Sequence, residues 1–456
     1  MLVNITTKAN EKATVYLSKF LLDHFLINNG QLFTLKVGML EMPVWIRVLD
    51  VLEDSSIKLT SDVISYFNLI TAKKFYINVH NSKLEIRLGP FLGVFVNTRF
   101  FNSLCNGEII ESAEHMFNAV NHDGGLVYYF SCANIHWLDR KIKGVTFNKE
   151  GKIKYSWFGF PKVIYDRGVG FDKDEKQAVK FFRNQISKNK DVCFINSVDY
   201  LDKWKTYKYL NKNPFIGDML PETKLYSDIS DISEMLKKYC AVYLKARYGS
   251  RGQKILIIYP EPDKRFKIKT SNNEYIVSSM LDLRSFMIEF FENQPFVVQQ
   301  PIELYQYDGK KSDMRVLLCK DGKGNWQVIY NQVKIADKHK PITNVSMGGE
   351  VEDFISYYTV VFGNENKAKE LNDYISEAAV KVSYALEGEV GPMGEVGLDM
   401  GLDKNMKLWF IEANTKPDKN PEAFEEIAQG GIFTQFLNIV KYANLLERCS
   451  GSGNNV

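Results

Sequence analysis

Three oxygen-bearing side chains, Asp399, Glu412 and Asn414, lie close together near the end of the sequence, in the run VGLDMGLDKNMKLWFIEANTKP. The apolar segments VGLDMGL and KLWFIEAN predict two strands, and the polar DKNM between them predicts a turn. A two-residue turn at 404–405 would place Asp399 opposite Phe410. Because side chains two apart on a strand point to the same face, the three polar side chains would then share one face of a hairpin.

Two carboxylates and an amide oxygen on one rigid face suit a hard cation such as Mg²⁺. This ion is commonly held by one or two carboxylates together with substrate phosphates. The alternative is a solvent-exposed hairpin face whose charges are incidental, because acidic residues are common at protein surfaces. The motifs that precede the hairpin favour the metal site.

The segment YLKARYGSRGQKILII predicts a strand, a glycine loop and a second strand. Small residues in the loop allow backbone N–H groups to approach phosphate oxygens, and the neighbouring arginines add positive charge. Lys245 lies within the apolar strand, where a buried ammonium needs an anionic partner such as a phosphate. The alternative is an ordinary hairpin loop with a lysine that extends to solvent. The loop and its arginines comprise Arg247, Gly249, Ser250, Arg251 and Gly252.

Two further segments carry polar side chains at strand ends. QQPIEL follows an apolar strand and predicts a hinge at which Gln299 and Gln300 could read an adenine edge; the alternative is the end of an edge strand. SDMR places Asp313 and Arg315 on one strand face, and arginine is the natural bidentate partner of phosphate or carboxylate. The alternative for SDMR is a surface ion pair.

The segment TNVSMGGE, residues 343–350, is a second loop of small residues. Asn344, Gly348 and Gly349 could approach a phosphoryl group or a substrate carboxylate. The alternative is an ordinary turn.

The elements that would position these residues fall into three predicted domains. Residues 1–88 are rich in strand patterns, residues 89–195 alternate strands with helices, and residues 196–448 form the largest unit; residues 449–456 are predicted to be a flexible tail. The continuous apolar run LGPFLGVFV predicts a buried parallel strand. Helices are predicted over 62–69, 112–120, 173–188, 202–210, 283–292, 367–387 and 423–446.

Composition excludes several classes of protein. The 456 residues carry 58 Lys+Arg against 55 Asp+Glu, a net charge of +3 that is too balanced for a nucleic-acid-binding surface. The six cysteines form no CxxC or Cys/His cluster, which argues against a zinc site or a disulfide framework and favours a reducing compartment. No signal peptide or membrane-spanning apolar stretch is apparent, so a cytoplasmic protein without a membrane partner is expected.

The order of these motifs resembles the ATP-grasp fold over residues 198–446, in which ATP lies between two α+β lobes. The segments DKW, LKARYGSRG, SDMRVLLCKDGKGNWQV, TNVSMGGE and GLDMGLDKNMKLWFIEANTKP resemble more closely the YheC/YheD endospore coat-associated family. This resemblance implies a multidomain α+β and α/β protein. It would consist of a small β-rich N-terminal domain, an α/β pre-ATP-grasp domain and an ATP-grasp domain, and be located in the mother cell or the spore coat.

The resemblance also implies roles for individual residues. Lys203 and Lys245 would contact the phosphates and the adenine side. Arg315 matches an arginine that serves the reacting phosphate and carboxylate in ribosomal-protein glutamate ligases. The implied nucleotide-binding residues are Lys203, Lys245, Arg247, Gly249, Ser250, Arg251, Gly252, Gln299, Gln300, Ile302, Gly348 and Gly349. The implied catalytic residues are Arg315, Lys245 and Asn344, and the implied ligands of Mg²⁺, or alternatively Mn²⁺, are Asp399, Glu412 and Asn414.

The family's chemistry implies an ATP-dependent carboxylate–amine ligase that forms an amide or peptide bond through an acylphosphate. The expected partners are ATP, a carboxylate and an amine substrate, a peptide or protein among them, and spore coat proteins. Two alternatives remain open at this point. One is an ATP-grasp kinase of a small molecule, and the other is a nucleotide-binding coat protein without catalytic activity.

Overall fold

The protein, seen in a computed structural model, is described over residues 1–9, 12–70, 73–108, 110–148, 151–249, 254–270, 273–336, 350–418 and 425–449. It divides into two units. Unit 1 contains Met1–Ser197, Lys320–Asn325 and Ile432–Val456, and unit 2 contains Val198–Cys319 and Trp326–Gly431. The finer domain boundaries at 88, 195 and 448 stay predictions.

The first part of unit 1 is a closed β-barrel. Its elements are β1 (Leu2–Lys8), β2 (Thr14–Leu17), α1 (Lys19–Phe25), β3 (Leu32–Val37), β4 (Leu40–Val48), β5 (Ser56–Thr60), α2 (Ser61–Phe67), β6 (Lys74–His80) and β7 (Glu85–Gly89). The strand order around the barrel is β1-β5-β2-β4-β3-β7-β6. Alternate side chains of β3, namely Phe33, Leu35 and Val37, are buried in the core, as a barrel with an apolar interior requires.

The second part of unit 1 is a mixed α/β sheet. Its elements are β8 (Phe91–Phe95), α3 (Thr98–Cys105), α4 (Glu111–Asp123), β9 (Leu126–Phe130), β10 (Ile135–His136), β11 (Lys141–Phe147), β12 (Ile153–Gly159), β13 (Val163–Asp166), α5 (Glu175–Lys188) and β14 (Cys193–Ile195). The order is β10-β11-β9-β8-β13-β14, with β12 paired to β11. The parallel strands β8, β9 and β13 are buried along their whole length, as expected for strands covered on both faces.

The run LGPFLGVFV contains the predicted buried parallel strand as β8, and its first two residues are the end of β7. Gly89 ends β7 of the barrel, and Phe91 begins β8 of the α/β sheet. Pro90 between them has no N–H group with which to continue a strand ladder.

Unit 2 begins with two helices and a first sheet. These elements are α6 (Lys203–Leu210), α7 (Pro214–Gly217), β15 (Thr223–Leu225), α8 (Ile229–Lys238), β16 (Val242–Ala246), β17 (Ile255–Pro260), β18 (Phe266–Lys269), β19 (Glu274–Val277), α9 (Met280–Phe291) and β20 (Phe296–Gln299). The sheet order is β15-β20-β16-β17-β18-β19. Buried residues of α8 and α9, among them Ile232 and Met287, share one hydrophobic core with this sheet.

A second sheet completes unit 2. Its elements are β21 (Gln306–Tyr307), β22 (Lys310–Lys320), β23 (Trp326–Ile335), β24 (Glu350–Asp353), α10 (Phe354–Phe362), α11 (Glu365–Val390), β25 (Glu395–Leu402) and β26 (Leu408–Asn414). The order is β24-β23-β22-β25-β26, with β21 paired to β22. The sheet shares a core with α11, which buries Ile375, Ala379 and Val382. This shared core holds β22, β25 and β26, which carry polar side chains, in fixed positions.

The last element is α12 (Glu425–Cys449), and its C-terminal part belongs to unit 1. Glu447 of this helix is buried, and its Oε2 accepts a hydrogen bond from the backbone N–H of Phe91 at 2.8 Å. Burial raises the pKa of Glu447 to about 7, although Lys162 and Arg87 oppose the shift. Among the described residues, no helix combines the length and the apolar character needed to cross a membrane.

We expect the buried Glu447 to make stability depend on pH. The folded protein keeps the Glu447 proton up to about pH 7, whereas the unfolded chain releases it near the ordinary glutamate pKa of 4.5. The folded state therefore binds more protons between these values, and stability falls as the pH rises through this window by about 3 kcal/mol. Glu447→Gln removes this contribution while keeping an acceptor for Phe91.

The test compares melting temperatures of the wild type and Glu447→Gln from pH 5 to pH 7.5. The melting temperature of the variant should increase relative to that of the wild type as the pH rises. Glu108→Gln, which changes an exposed glutamate of the same unit, serves as the control. A difference between Glu447→Gln and wild type that stays constant across this range contradicts the raised pKa.

Candidate functional site

The hairpin of β25 and β26 brings the three predicted metal-binding residues together. Asp399 lies opposite Glu412, and Gly397 lies opposite Asn414. The amide Nδ2 of Asn414 donates a hydrogen bond to Asp399 Oδ2 at 3.1 Å. The side chains of Asp399 and Glu412 are 14% and 24% exposed, so both are largely buried and both remain open to a ligand.

The expected pairing of Asp399 with Phe410 is wrong, because Phe410 lies opposite Met400. The turn between the strands is longer than two residues, and a register shift follows Asp399, as in a β-bulge. Asp403 organises the turn by accepting hydrogen bonds from the backbone N–H of Lys407 at 3.0 Å and from the Trp409 indole at 3.0 Å. The bulge aligns Asp399 directly with Glu412.

Asp399 is held by two cations of the neighbouring strands. Arg315 of β22 donates from Nε to Oδ1 at 2.8 Å and from Nη2 to Oδ2 at 3.0 Å. Lys334 of β23 donates to Oδ1 at 2.6 Å. Burial would raise the pKa of Asp399, but these cations outweigh it and hold the pKa well below its usual range. Asp399 is therefore a fixed, ionised oxygen donor.

Lys334 was not singled out from the sequence. Besides Asp399, it lies 3.8 Å from Oδ1 of Asp313, the acidic residue of the SDMR motif. A signal was present, because a lysine between Val333 and Ile335 alternates with buried apolar residues on a strand next to SDMR. The strand pattern alone did not show which charged group it would face.

Two lysines lie near Glu412. Lys203 Nζ is 3.8 Å from Glu412 Oε2 and donates a hydrogen bond to the carbonyl oxygen of Gly249 at 2.9 Å. Lys245 of β16 is 9% exposed, and burial lowers its pKa to about 8, while the charges of Glu412 and Asp399 raise it. Gly249 has a φ of 116°, a conformation that favours glycine. The structure thus brings Lys203, Lys245 and the first glycine of the predicted phosphate loop into one cluster with the carboxylates.

Arg247, predicted to contact phosphates, forms an ion pair with Asp202. Its Nε and Nη2 donate to the two carboxylate oxygens at 2.8 and 2.6 Å. Asp202 is also the N-cap of α6, where it accepts hydrogen bonds from the backbone N–H groups of Trp204 and Lys205 at 3.1 Å. The pair ties the start of the glycine loop to the helix that carries Lys203. Sequence reasoning missed Asp202, although an aspartate before a helix is a recognisable N-cap signal.

The residues predicted to line an adenine pocket have two different environments. Gln300 and Ile302 line a cavity of about 290 Å³ in unit 2 together with Trp409. Gln300 Oε1 accepts a hydrogen bond from the backbone N–H of Glu222 at 3.0 Å. Gln299 instead donates from Nε2 to Thr223 Oγ1 at 2.9 Å.

Some predicted residues lie outside the described part of the chain. They are Ser250, Arg251, Gly252, Asn344, Gly348 and Gly349. Their roles in phosphate contact and catalysis stay predictions.

The donor set fits Mg²⁺. Asp399 and Glu412 offer carboxylate oxygens and Asn414 an amide oxygen, the hard donors that Mg²⁺ prefers, with phosphate and water oxygens completing its coordination. Over the described ranges, no group of three or more His, Cys, Asp and Glu side chains is placed to hold a metal ion. Two carboxylates and one amide would leave positions around Mg²⁺ for water or phosphate oxygens.

Comparison with known proteins identifies the family of the chain. The family model "YheC/D like ATP-grasp" matches residues 191–446, more than half of the chain. Endospore coat-associated protein YheD of Bacillus subtilis (strain 168) is 27% identical over 344 residues, covering 74% of each chain. YheC of the same organism is 23% identical over 276 residues, covering 59% of this chain and 75% of YheC.

Among solved structures, VanG D-Ala:D-Ser ligase from Enterococcus faecalis superimposes with a TM-score of 0.47 at 12% identity, covering 78% of this chain and 100% of that one. The family assignment rests on the match over residues 191–446, which includes both lysines and all three predicted metal ligands. The chain belongs to the YheC/D-like ATP-grasp family and has an ATP-grasp fold.

Proposed function

We propose that the protein is an ATP-dependent carboxylate–amine ligase that forms an amide or peptide bond through an acylphosphate. The observation that carries the proposal is a cluster that contains both oxygen ligands for a metal ion and cationic side chains. Asp399 pairs with Arg315 and accepts a hydrogen bond from Asn414, and Oε2 of Glu412 lies 3.8 Å from Nζ of Lys203. Such a cluster matches a bound Mg²⁺–nucleotide, whose metal meets the carboxylates and whose phosphates meet the cations.

The proposed reaction has two steps. A substrate carboxylate oxygen attacks the γ-phosphorus of ATP, and the bond between that phosphorus and the bridging oxygen breaks to release ADP. The nitrogen of an amine then attacks the acyl carbon of the acylphosphate, phosphate leaves, and the amine loses a proton. Positioning of the reactants and neutralisation of their charge account for most of the rate enhancement in phosphoryl transfer.

The residues of the chain have separate tasks in this scheme. Mg²⁺ on Asp399, Glu412 and Asn414 would supply positive charge at the β- and γ-phosphate oxygens. Lys245 is buried, so its charge acts through a medium of low dielectric and binds a phosphate more strongly than an exposed lysine would. Arg315 keeps Asp399 in place and presents a guanidinium to the reacting phosphate or carboxylate.

We further propose that the substrate is a peptide or a spore coat protein and that the protein acts in the mother cell or at the coat. This part of the proposal is supported by the names of YheD and YheC, both endospore coat-associated proteins. A protein substrate can supply either the carboxylate or the amine of the new bond.

The test incubates the full chain with Mg-ATP, pooled amino acids, short peptides and candidate coat proteins. Released ADP and intact masses are measured together. ADP with a product whose mass equals two reactants less one water supports the ligase. A phosphate mass gain that persists after hydroxylamine treatment, which removes acylphosphates, would establish the kinase alternative instead.

The same experiment addresses a coat protein without catalytic activity. Nucleotide binding measured by calorimetry, with no ADP formed from any mixture, overturns the ligase proposal in favour of that alternative. Repeating the reaction with Mn²⁺ in place of Mg²⁺ tests whether the oxygen donors accept either ion.

A further inference from the structure

Unit 1 contains a cavity of about 730 Å³ between residues of the barrel and of the α/β layer. Its volume lies within the range of small-molecule sites. Basic residues outnumber acidic ones in its lining, where the acidic side chains are Glu41, Glu85 and Asp191. The basic side chains are Lys36, Lys83, Arg87, Arg140, Lys162 and Lys190.

Two of the acidic residues, Glu85 and Glu41, are paired with Lys36 and Arg87. Lys36 Nζ lies 2.8 Å from Glu85 Oε1 and 3.3 Å from Glu41 Oε2. Glu85 Oε2 also accepts a hydrogen bond from Arg87 Nη2 at 3.2 Å. Beyond these pairs, the lining keeps four basic residues and one acidic residue, Asp191.

The deepest basic groups are Arg87 and Lys162. The side chain of Arg87 is 12% exposed, and within the described part of the chain its Nε and Nη1 are buried without a hydrogen-bond partner. Lys162 is 8% exposed. Burial and the neighbouring charge of Arg87 lower the pKa of Lys162, while Glu447 and Asp191 raise it. Buried N–H groups without an acceptor are unfavourable, so Nε and Nη1 of Arg87 favour the addition of an acceptor with negative charge.

We propose that this cavity binds a small oxyanion, the phosphate or carboxylate group of a small molecule, on Arg87 and Lys162. An oxyanion has several acceptor oxygens, so it can take charge-assisted hydrogen bonds from a guanidinium and an ammonium at once. The exposed side chains of Lys83, Arg140 and Lys190 surround the deep pair and would attract a ligand with further negative charges. The site is independent of the ligase proposal, because every residue of its lining belongs to unit 1.

The test titrates the full chain with pyrophosphate and with citrate at constant ionic strength in a calorimeter. Because the site in unit 2 is also expected to bind phosphates, Lys245→Met is measured beside Arg87→Met. We expect at least one probe to bind the wild type and Lys245→Met alike, and Arg87→Met to weaken that binding at least about tenfold. Arg99→Met, the same change at an exposed position of unit 1, should leave it unchanged.

Arg87→Lys keeps the charge but removes the guanidinium nitrogens Nε and Nη1, and it replaces Arg87→Met if the latter does not fold. It should also weaken binding. Preference for pyrophosphate identifies the ligand group as a phosphate, and preference for citrate identifies it as a carboxylate. Binding that is lost in Lys245→Met but kept in both Arg87 variants, or no binding of either probe to the wild type at millimolar concentration, overturns the proposal.

Discussion

Glu412→Gln should lower ATP turnover at least about 100-fold while the protein stays folded, a loss on the scale of several kcal/mol of transition-state stabilisation. Glu412 lies opposite Asp399 on the hairpin, and its Oε2 is 3.8 Å from Lys203. The substitution keeps the size of the side chain but removes one of the two negative charges expected to hold Mg²⁺ at the phosphates. The measurement is ADP release with the substrate mixture that supports wild-type turnover.

A matched control is Glu377→Gln, because Glu377 is 68% exposed on α11 and pairs with Lys381 one turn away. This variant should turn over ATP like the wild type. Circular dichroism and a melting curve establish that each variant is folded. Wild-type turnover in a folded Glu412→Gln protein would remove Glu412 from the metal site.

Asp166→Leu should destabilise the protein by about 3–5 kcal/mol, the usual loss when one partner of a buried ion pair is removed. Asp166 is fully buried in unit 1 and accepts hydrogen bonds from Arg183 Nε at 2.7 Å and Nη2 at 3.1 Å. It also accepts one from the backbone N–H of Gly168 at 2.9 Å. Leucine offers no acceptor, so the largely buried guanidinium would lose its counter-charge.

The measurement is urea unfolding, in which the change in midpoint at constant slope reports the change in stability. The double variant Asp166→Leu/Arg183→Met should be less destabilised than Asp166→Leu, because no buried charge is then left alone. A loss below about 1 kcal/mol in the single variant would show that Arg183 finds other partners or reaches water.

The sequence could predict that Asp399, Glu412 and Asn414 lie close together, because this depends on the local periodicity of strands. Glu412 and Asn414 are two apart on one strand, and their common face does not depend on the length of the turn. The register with Asp399 could not be predicted in the same way. A bulge after Asp399 changes the strand pairing by one residue. The segments VGLDMGL and KLWFIEAN contain no residue from which this bulge could be predicted.

Side-chain partners that are distant in sequence were the main part of the site that the sequence did not reveal. Arg247 pairs with Asp202, 45 positions earlier, and Lys334 meets Asp399, 65 positions later. Each of these charged groups had several possible partners before the sheet order was known. Only the tertiary arrangement of β22, β23 and β25 selects Asp399 as the group that Lys334 contacts.

The barrel illustrates the same division between local and distant information. The strand patterns of residues 1–88 include SIKLT and KFYINVH, and these two segments form β5 and β6 in the structure. Closure of the barrel pairs β1 with both β5 and β6, a choice set by twist and register across the whole sheet. The alternation within one strand contains no information about that choice.

Unit 1 is assembled from stretches at opposite ends of the polypeptide, and this has a consequence for its synthesis. Glu447 and Phe436 of α12 pack on Phe91 and His115, which a ribosome makes far earlier. At ~5–20 residues per second, translation of the intervening residues 198–431 takes roughly 12 to 50 s. Throughout that interval the nascent barrel and its α/β sheet lack their last helix and expose the apolar surface that it will cover. Whether the N-terminal half completes its fold would thus depend on a chaperone that shields this surface during translation. A premature stop before residue 432 would leave the surface exposed.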